Sequence, residues 1–240
     1  MKILISPISL DEAREVALGG ADIIDLKNTR EGSLGASFPW IIKSVVTELS
    51  HYRVTFSATL GDLPFKPGTA SLAALGASAA GAKYIKAGLK DVANVREGVE
   101  MMLAVKRACK DYDQDIIVVT AGYADYRRFN GLSPAALVEI AAESGSDVVM
   151  LDTAIKNGKT LFDNLELEEL SDFVNSGHEA GLEVALAGSI QIEHIGLLQN
   201  LKADIIGVRG AVCSGRNRNS GIEAELVRKF INACRLKPVA

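Results

Sequence analysis

Eight times along the chain, a short apolar run rich in β-branched residues is followed by a loop and then by a stretch with helical spacing. The runs are KILISPI from Lys2, DIIDLK from Asp22, RVTFSAT from Arg53, AKYIKA from Ala82, DIIVVTA from Asp115, DVVMLD from Asp147, EVALAG from Glu183 and DIIGVRG from Asp204. The stretches between them carry helix punctuation. SLDEAREVALGG opens with a Ser and Asp cap and closes on Gly19 and Gly20. LSPAALVEIAAESG places Ser133 as N-cap, Pro134 at the first helical position and Gly145 beyond the end. Eight consecutive βα units in 240 residues match the (β/α)8 TIM barrel, whose usual size is about 250 residues. A doubly wound sheet is the alternative, and the regularity of the units favours closure. No linker or change of composition divides the chain, so residues 1–240 are expected to form a single barrel domain.

Composition narrows the partners. With 26 Lys and Arg against 30 Asp and Glu the formal charge is -4, which supplies no basic field for nucleic acid, and none is expected to bind. The opening MKILISPISLDEAR is too short and too quickly charged for a secretory signal, and no later apolar run is long enough to span a bilayer. A cytoplasmic protein with no membrane partner is the expectation. Cys109, Cys213 and Cys234 are odd in number and widely spaced, which argues for buried free thiols over a disulfide framework or a zinc site.

In a barrel of this type the active site gathers at the C-terminal ends of the strands. Asp25 and Lys27 end the second run, Lys86 ends the fourth, Asp152 ends the sixth, and Lys156 follows in the next loop. Strand side chains alternate, so Asp25 and Lys27 share one face and apolar Ile24 and Leu26 the other; the charged face is expected to point into the barrel mouth. A self-neutralising internal ion pair is the plain structural alternative. Convergence of three lysines and two aspartates on one rim argues for chemistry instead. Ammonium groups sharing a cavity depress one another's pKa and leave a neutral amine able to form a Schiff base with a carbonyl, while carboxylates move protons or hold the cationic lysine. Lys27 ranks first as the Schiff-base former and Lys86 second, an order the sequence alone leaves open.

Phosphate is expected at the loops after the seventh and eighth strands. Gly188 and Ser189 offer amides and a hydroxyl there, and Gly210 permits close approach of the backbone, although glycines in loops also serve simple turns. Arg209 is either a phosphate ligand or an ion-pair partner inside the barrel. Arg216 and Arg218 read best as a solvated charge run, with a second phosphate or an acidic neighbouring subunit as alternatives. His51, His178 and His194 fall in helices or loops away from strand ends and are expected to be structural or surface residues. No metal-ligand spacing, no GxGxxG after a strand and no P-loop is present.

Taken together, DIIDLKNTREGSLGA, KYIKAGL, VMLDTAIKNGKTLFD, LAGSI and IGVRGAVC resemble the (5-formylfuran-3-yl)methyl phosphate synthases, also called 4-(hydroxymethyl)-2-furancarboxaldehyde-phosphate synthases, across essentially the whole chain. The resemblance implies a single-domain barrel that condenses two molecules of glyceraldehyde 3-phosphate into a phosphorylated furan aldehyde, the furan precursor of methanofuran or a related one-carbon carrier. It implies no organic cofactor and no metal. By position it assigns the Schiff-base role to Lys27, a proton-handling or positioning role to Asp25, a second active-site lysine to Lys86, and the acid and lysine of the strand-six rim to Asp152 and Lys156. Two phosphorylated substrates imply two anion subsites, with Lys86 or Lys156 available to serve the second. A class I aldolase acting on another sugar phosphate would use the same lysine logic. An orotidine-phosphate type decarboxylase is disfavoured, because its Asp-x-Lys phrase continues to an aspartate where this chain has Arg30. A non-catalytic sugar-phosphate-binding barrel would have little use for several amines in a low-dielectric pocket. Apolar helix faces lead to the expectation of a homo-oligomer.

Overall fold

Each of the eight apolar runs forms a strand, and the strands pair in parallel around a closed barrel in sequential order in the computed structural model, which describes residues 1–236. The last four positions of the expected domain lie outside the described residues. The strands are β1 (Lys2–Ile5), β2 (Ile23–Leu26), β3 (Thr55–Asp62), β4 (Tyr84–Gly88), β5 (Ile117–Tyr123), β6 (Val148–Asp152), β7 (Glu183–Leu186) and β8 (Ile205–Val208). Closure is made by β1 against β8, with Lys2 opposite Ile205 and Ile5 opposite Val208.

The helices follow in alternation as α1 (Leu10–Gly19), α2 (Pro39–Leu49), α3 (Pro67–Ala79), α4 (Val95–Tyr112), α5 (Pro134–Ser144), α6 (Leu167–Glu179), α7 (Ile195–Leu201) and α8 (Ala224–Arg235). The punctuation residues act as their chemistry requires. The Ser9 hydroxyl accepts the Glu12 N–H at 3.2 Å and Gly20 leaves α1 in the left-handed region at φ +84°. Ser133 caps α5, Pro134 occupies its first turn, and Gly145 ends it at φ +65°. None of the described helices is long and apolar enough to cross a membrane.

Strand alternation sorts the core into two shells. Ile24 and Leu26 face outward into the layer between sheet and helices, whereas Ile23 faces inward with Leu4, Met150, Ala185 and Ile205 to fill the barrel. The inner shell also takes in a residue from no strand, Leu34, which is fully buried and comes from the loop between β2 and α2. That loop is tied down on three sides. The Asn28 N–H donates to the Gly35 carbonyl at 2.9 Å, the Thr59 hydroxyl to the same carbonyl at 2.7 Å, and the Ser33 hydroxyl to the Thr153 carbonyl at 2.9 Å. At Gly35 a Cβ would fall 2.2 Å from the Asn28 carbonyl oxygen, so only glycine lets the loop turn back on itself.

Several strands differ from the runs at their ends: β1 stops at Ile5, β5 runs on to Tyr123, and β4 continues past Lys86 to Gly88, so that Lys86 lies within the strand and not at its end. The run RVTFSAT ends at Thr59 by its polar composition, yet β3 continues to Asp62. Its register against β4 shifts between Thr59 and Asp62, and Gly61 sits at φ +101° in between. Gly61 thus makes an irregularity within the strand.

Candidate active site

The C-terminal rim of the barrel is open on one side, where a cavity of about 390 Å³ is lined by residues of β1, β2, β6 and β8, by the loop after β7 and by the loops that follow β2, β6 and β8. No residue of β3, β4 or β5 lines it. Over that half the Ser33–Leu34 strap reaches across to Thr153, with the Tyr123 hydroxyl donating to Asp62 beside it.

Asp25 is the innermost charged group in the cavity wall. Fully buried on β2, it accepts hydrogen bonds from the Ser6 hydroxyl at 3.0 Å, the Ser57 hydroxyl at 2.8 Å and the Lys86 ammonium at 2.8 Å. Burial alone would raise its pKa. The Lys86 and Lys27 charges and the hydrogen bonds from Lys86 and Ser57 outweigh that and hold the carboxyl below the usual carboxylate range. Burial pushes Lys86 down from its ordinary value against the pull of Asp25, and the Lys27 charge adds to the push. Lys86 does not itself line the cavity and reaches it only through Asp25.

Above this pair, three charged groups share one contact network. Asp152, the last residue of β6, holds the Lys156 Nζ at 2.8 Å on Oδ1, and its Oδ2 lies 3.9 Å from the Lys27 Nζ. Lys27 stands one residue beyond the end of β2, its side chain 10% exposed, and lines the cavity together with Asp152 and Lys156. Asp152 is buried, which would raise its pKa, but Lys156, Lys27 and the Thr153 N–H pull it far below the usual range. Lys156 is lowered by burial against the attraction of Asp152, with Lys27 and Arg218 reinforcing the lowering. The loop that bears Lys156 is fixed by Asp125, a buried carboxylate accepting the Ala154 and Ile155 N–H groups at 2.7 and 2.8 Å.

Gly188, Ser189 and Gly210 also line the cavity. Gly188 and Ser189 take positive φ angles of 114° and 50°, the kind of backbone that turns successive amides to one side. Arg209 takes the second of its two sequence alternatives. Its guanidinium grips both oxygens of Glu12, at 2.6 and 3.0 Å, and donates to the Ser6 and Arg218 carbonyls at 3.0 Å each. It therefore fixes the β8 loop to α1 and β1 with most of its donors already used.

Arg216 is exposed, as expected of a solvated charge run, while Arg218 is half-buried. Both line the cavity with Asn217, where the chain after β8 folds back over the rim. Arg216 lies 3.5 Å from Glu193, whereas Arg218 has no ion-pair partner among the described residues. Sequence reasoning also misses Ser6, Ser57 and Gln191. Gln191 lines the cavity with a buried Oε1 that has no hydrogen-bond partner among the described residues.

The histidines lie elsewhere: His178 pairs with Asp204 at 2.8 Å, His194 packs on Phe162, and His51 on Tyr52. All three cysteines are buried free thiols, and burial pushes Cys109 up to about 11 and Cys234 to about 12. Among the described residues no three His, Cys, Asp or Glu side chains converge to hold a metal ion.

Residues 3–231 match the family model described as 4-HFC-P synthase. The chain is 53% identical over 236 residues to the (5-formylfuran-3-yl)methyl phosphate synthase of Methanocaldococcus jannaschii, covering 98% of this chain and 100% of that protein. It is 50% identical, with the same coverage, to the enzyme of that name from Methanosarcina acetivorans. Among solved structures, 3-hexulose-6-phosphate synthase from Salmonella typhimurium superposes with a TM-score of 0.68 at 18% identity, covering 98% of each chain. KGPDC from Streptococcus mutans gives 0.66 at 11% identity, covering 98% of this chain and 97% of that one. At such identities these two structures speak for the barrel fold alone.

Proposed function

Because the chain belongs to the 4-HFC-P synthase family, we propose that it condenses two molecules of glyceraldehyde 3-phosphate into 4-(hydroxymethyl)-2-furancarboxaldehyde phosphate through a Schiff base on Lys27. The product would serve as the furan precursor of a methanofuran-type one-carbon carrier. The observation that carries this reading is a lysine pair, Lys27 and Lys156, bound to the single carboxylate of Asp152 in one cavity.

The chemistry follows from those groups. One triose phosphate is isomerised to its ketone, and the amine of Lys27 adds to the aldehyde of the other and loses water to give an iminium. Its positive nitrogen accepts electron density as the neighbouring carbon is deprotonated, so stabilisation grows toward the transition state. Lys156, lowered by its burial, is the base best suited to take that proton, with Asp152 holding it in reach. The resulting enamine expels the phosphate from its third carbon, and the enol so formed bonds that terminal carbon to the ketone carbon of the second triose phosphate, which gives the branched skeleton of a 2,4-substituted furan. Ring closure by the primary hydroxyl of the ketone half and loss of two waters complete the aromatic ring, and hydrolysis of the iminium releases the aldehyde and frees Lys27. Asp25 faces the same cavity, and Lys86 behind it stores or supplies a proton for the dehydration steps.

Two phosphate groups must be seated together. The amides at Gly188, Ser189 and Gly210 suit one, and the Arg218 side chain with Lys156 suits the other. Free buried thiols and small phosphorylated substrates fit a cytoplasmic enzyme. Incubating the protein with glyceraldehyde 3-phosphate alone and scanning the near ultraviolet tests the reading. A furan aldehyde absorbs there, whereas an aldol adduct does not, so turnover without that absorbance would replace this proposal by an aldolase.

A further inference from the structure

Thr153 stands between Asp152 and Lys156 and is fully buried, yet it contacts every part of the site that must be aligned. Its Oγ1 accepts the Lys156 Nζ at 3.1 Å, and its N–H donates to Asp152 Oδ1 at 2.7 Å. Its carbonyl accepts the Ser33 hydroxyl at 2.9 Å, which ties it to the loop that follows Lys27. Its methyl group abuts Gly188 so closely that a Cβ there would come within 2.9 Å of Cγ2. The strap is thereby joined to the phosphate wall, and the Leu161 N–H secures the far side by donating to the Gly188 carbonyl at 2.9 Å.

From these contacts we propose that Thr153 is a positioning residue whose hydroxyl sets the Lys156 amine and whose methyl sets the Gly188 phosphate loop, so that proton transfer and anion binding are held in one register. The proposal rests on the reading that Lys156 and the Gly188 loop serve catalysis and phosphate binding. A threonine is suited to both tasks because one Cβ carries an acceptor and a methyl in fixed directions. A purely structural role would make no such division, since valine of the same shape satisfies an apolar site.

Two variants separate the functions. Thr153→Val keeps the methyl contact and removes the acceptor; Thr153→Ser keeps the acceptor and removes the methyl. Two readouts need no turnover: calorimetric affinity for inorganic phosphate, and the pH dependence of Lys156 acetylation by acetic anhydride, followed by peptide mapping. Thr153→Val is expected to move the Lys156 titration to lower pH, because the ammonium form loses an acceptor, with phosphate affinity within about twofold of the parent. Thr153→Ser is expected to leave that titration in place and weaken phosphate binding about three- to tenfold. Unchanged readouts in both variants, or equal losses of both, would overturn the proposal. Should Thr153→Val fail to fold, Thr153→Ser alone must still weaken phosphate while sparing the Lys156 titration. A parent protein that makes no furan would sink the substrate reading, while these two measurements would still decide the role of Thr153.

Discussion

The Nζ of Lys27 lies 3.9 Å from Oδ2 of Asp152, the same carboxylate whose Oδ1 holds Lys156 at 2.8 Å. One anion thus faces two amines that come from opposite sides of the barrel. Asp152→Asn is expected to lower kcat by about a hundred- to ten-thousand-fold, the range for loss of an acid–base partner. Lys27→Ala should abolish turnover and leave the thermal transition near that of the parent. Steady-state kinetics with circular dichroism on both variants checks the pair.

The Asp25–Lys86 pair carries a different signature because both groups are buried. Lys86→Met leaves an uncompensated carboxylate in the wall and is expected to cost about 3–5 kcal/mol. In a protein of this size that lowers the melting temperature by roughly 10 °C. Asp25→Asn combined with Lys86→Met removes both charges and should recover much of the stability without recovering activity. Denaturant unfolding of the two single variants and the double variant measures the coupling.

Acid lability follows from the same carboxylates. Asp25 and Asp152 both have folded-state pKa values below the ordinary value of about 3.9. Their contribution to stability is complete above the unfolded pKa and is lost as pH falls from about 4 through the lower folded values. The unfolding free energy should be level in this respect near pH 6 and fall below pH 4. Asp152→Asn should show a shallower fall, readable from melting temperatures across the acid range.

Arg218 and Arg216 both line the cavity, but only Arg216 has a carboxylate neighbour, at 3.5 Å from Glu193. Arg218→Ala is expected to raise KM for the triose phosphate about tenfold, the effect of losing one charged hydrogen bond. Arg216→Ala should raise it about two- to threefold, and both effects should shrink at high salt.

Part of this site is legible in the sequence because strand periodicity and the strand-end rule together place Asp25, Lys27 and Asp152 on one rim, whereas Lys86, two residues short of the end of β4, lies behind it. The eight strands are legible for a related reason: buried parallel strands read as short continuous apolar runs. What stays hidden depends on long-range closure. Glu12 and Arg209 are 197 residues apart, and only the meeting of α1 with the β8 loop decides that the arginine is an ion-pair partner. Arg218 reads as part of a solvated run because its loop doubles back over the rim, a path set by the β8 turn and by no local periodicity. Ser6, Ser57 and Thr153 are small polar residues at or near strand ends, where a hydroxyl gives no signal until a buried charge stands within 3.1 Å of it. The extension of β3 passes through Gly61 at positive φ, an irregularity that strand periodicity does not carry.

The most direct test of the central claim is borohydride reduction of the protein during incubation with glyceraldehyde 3-phosphate, followed by peptide mapping. One reduced triose adduct is expected on the peptide containing Lys27, absent from Lys27→Ala and formed alongside the furan absorbance. An adduct found solely on the Lys156 peptide, or furan formation in Lys27→Ala, would contradict the Schiff-base role of Lys27.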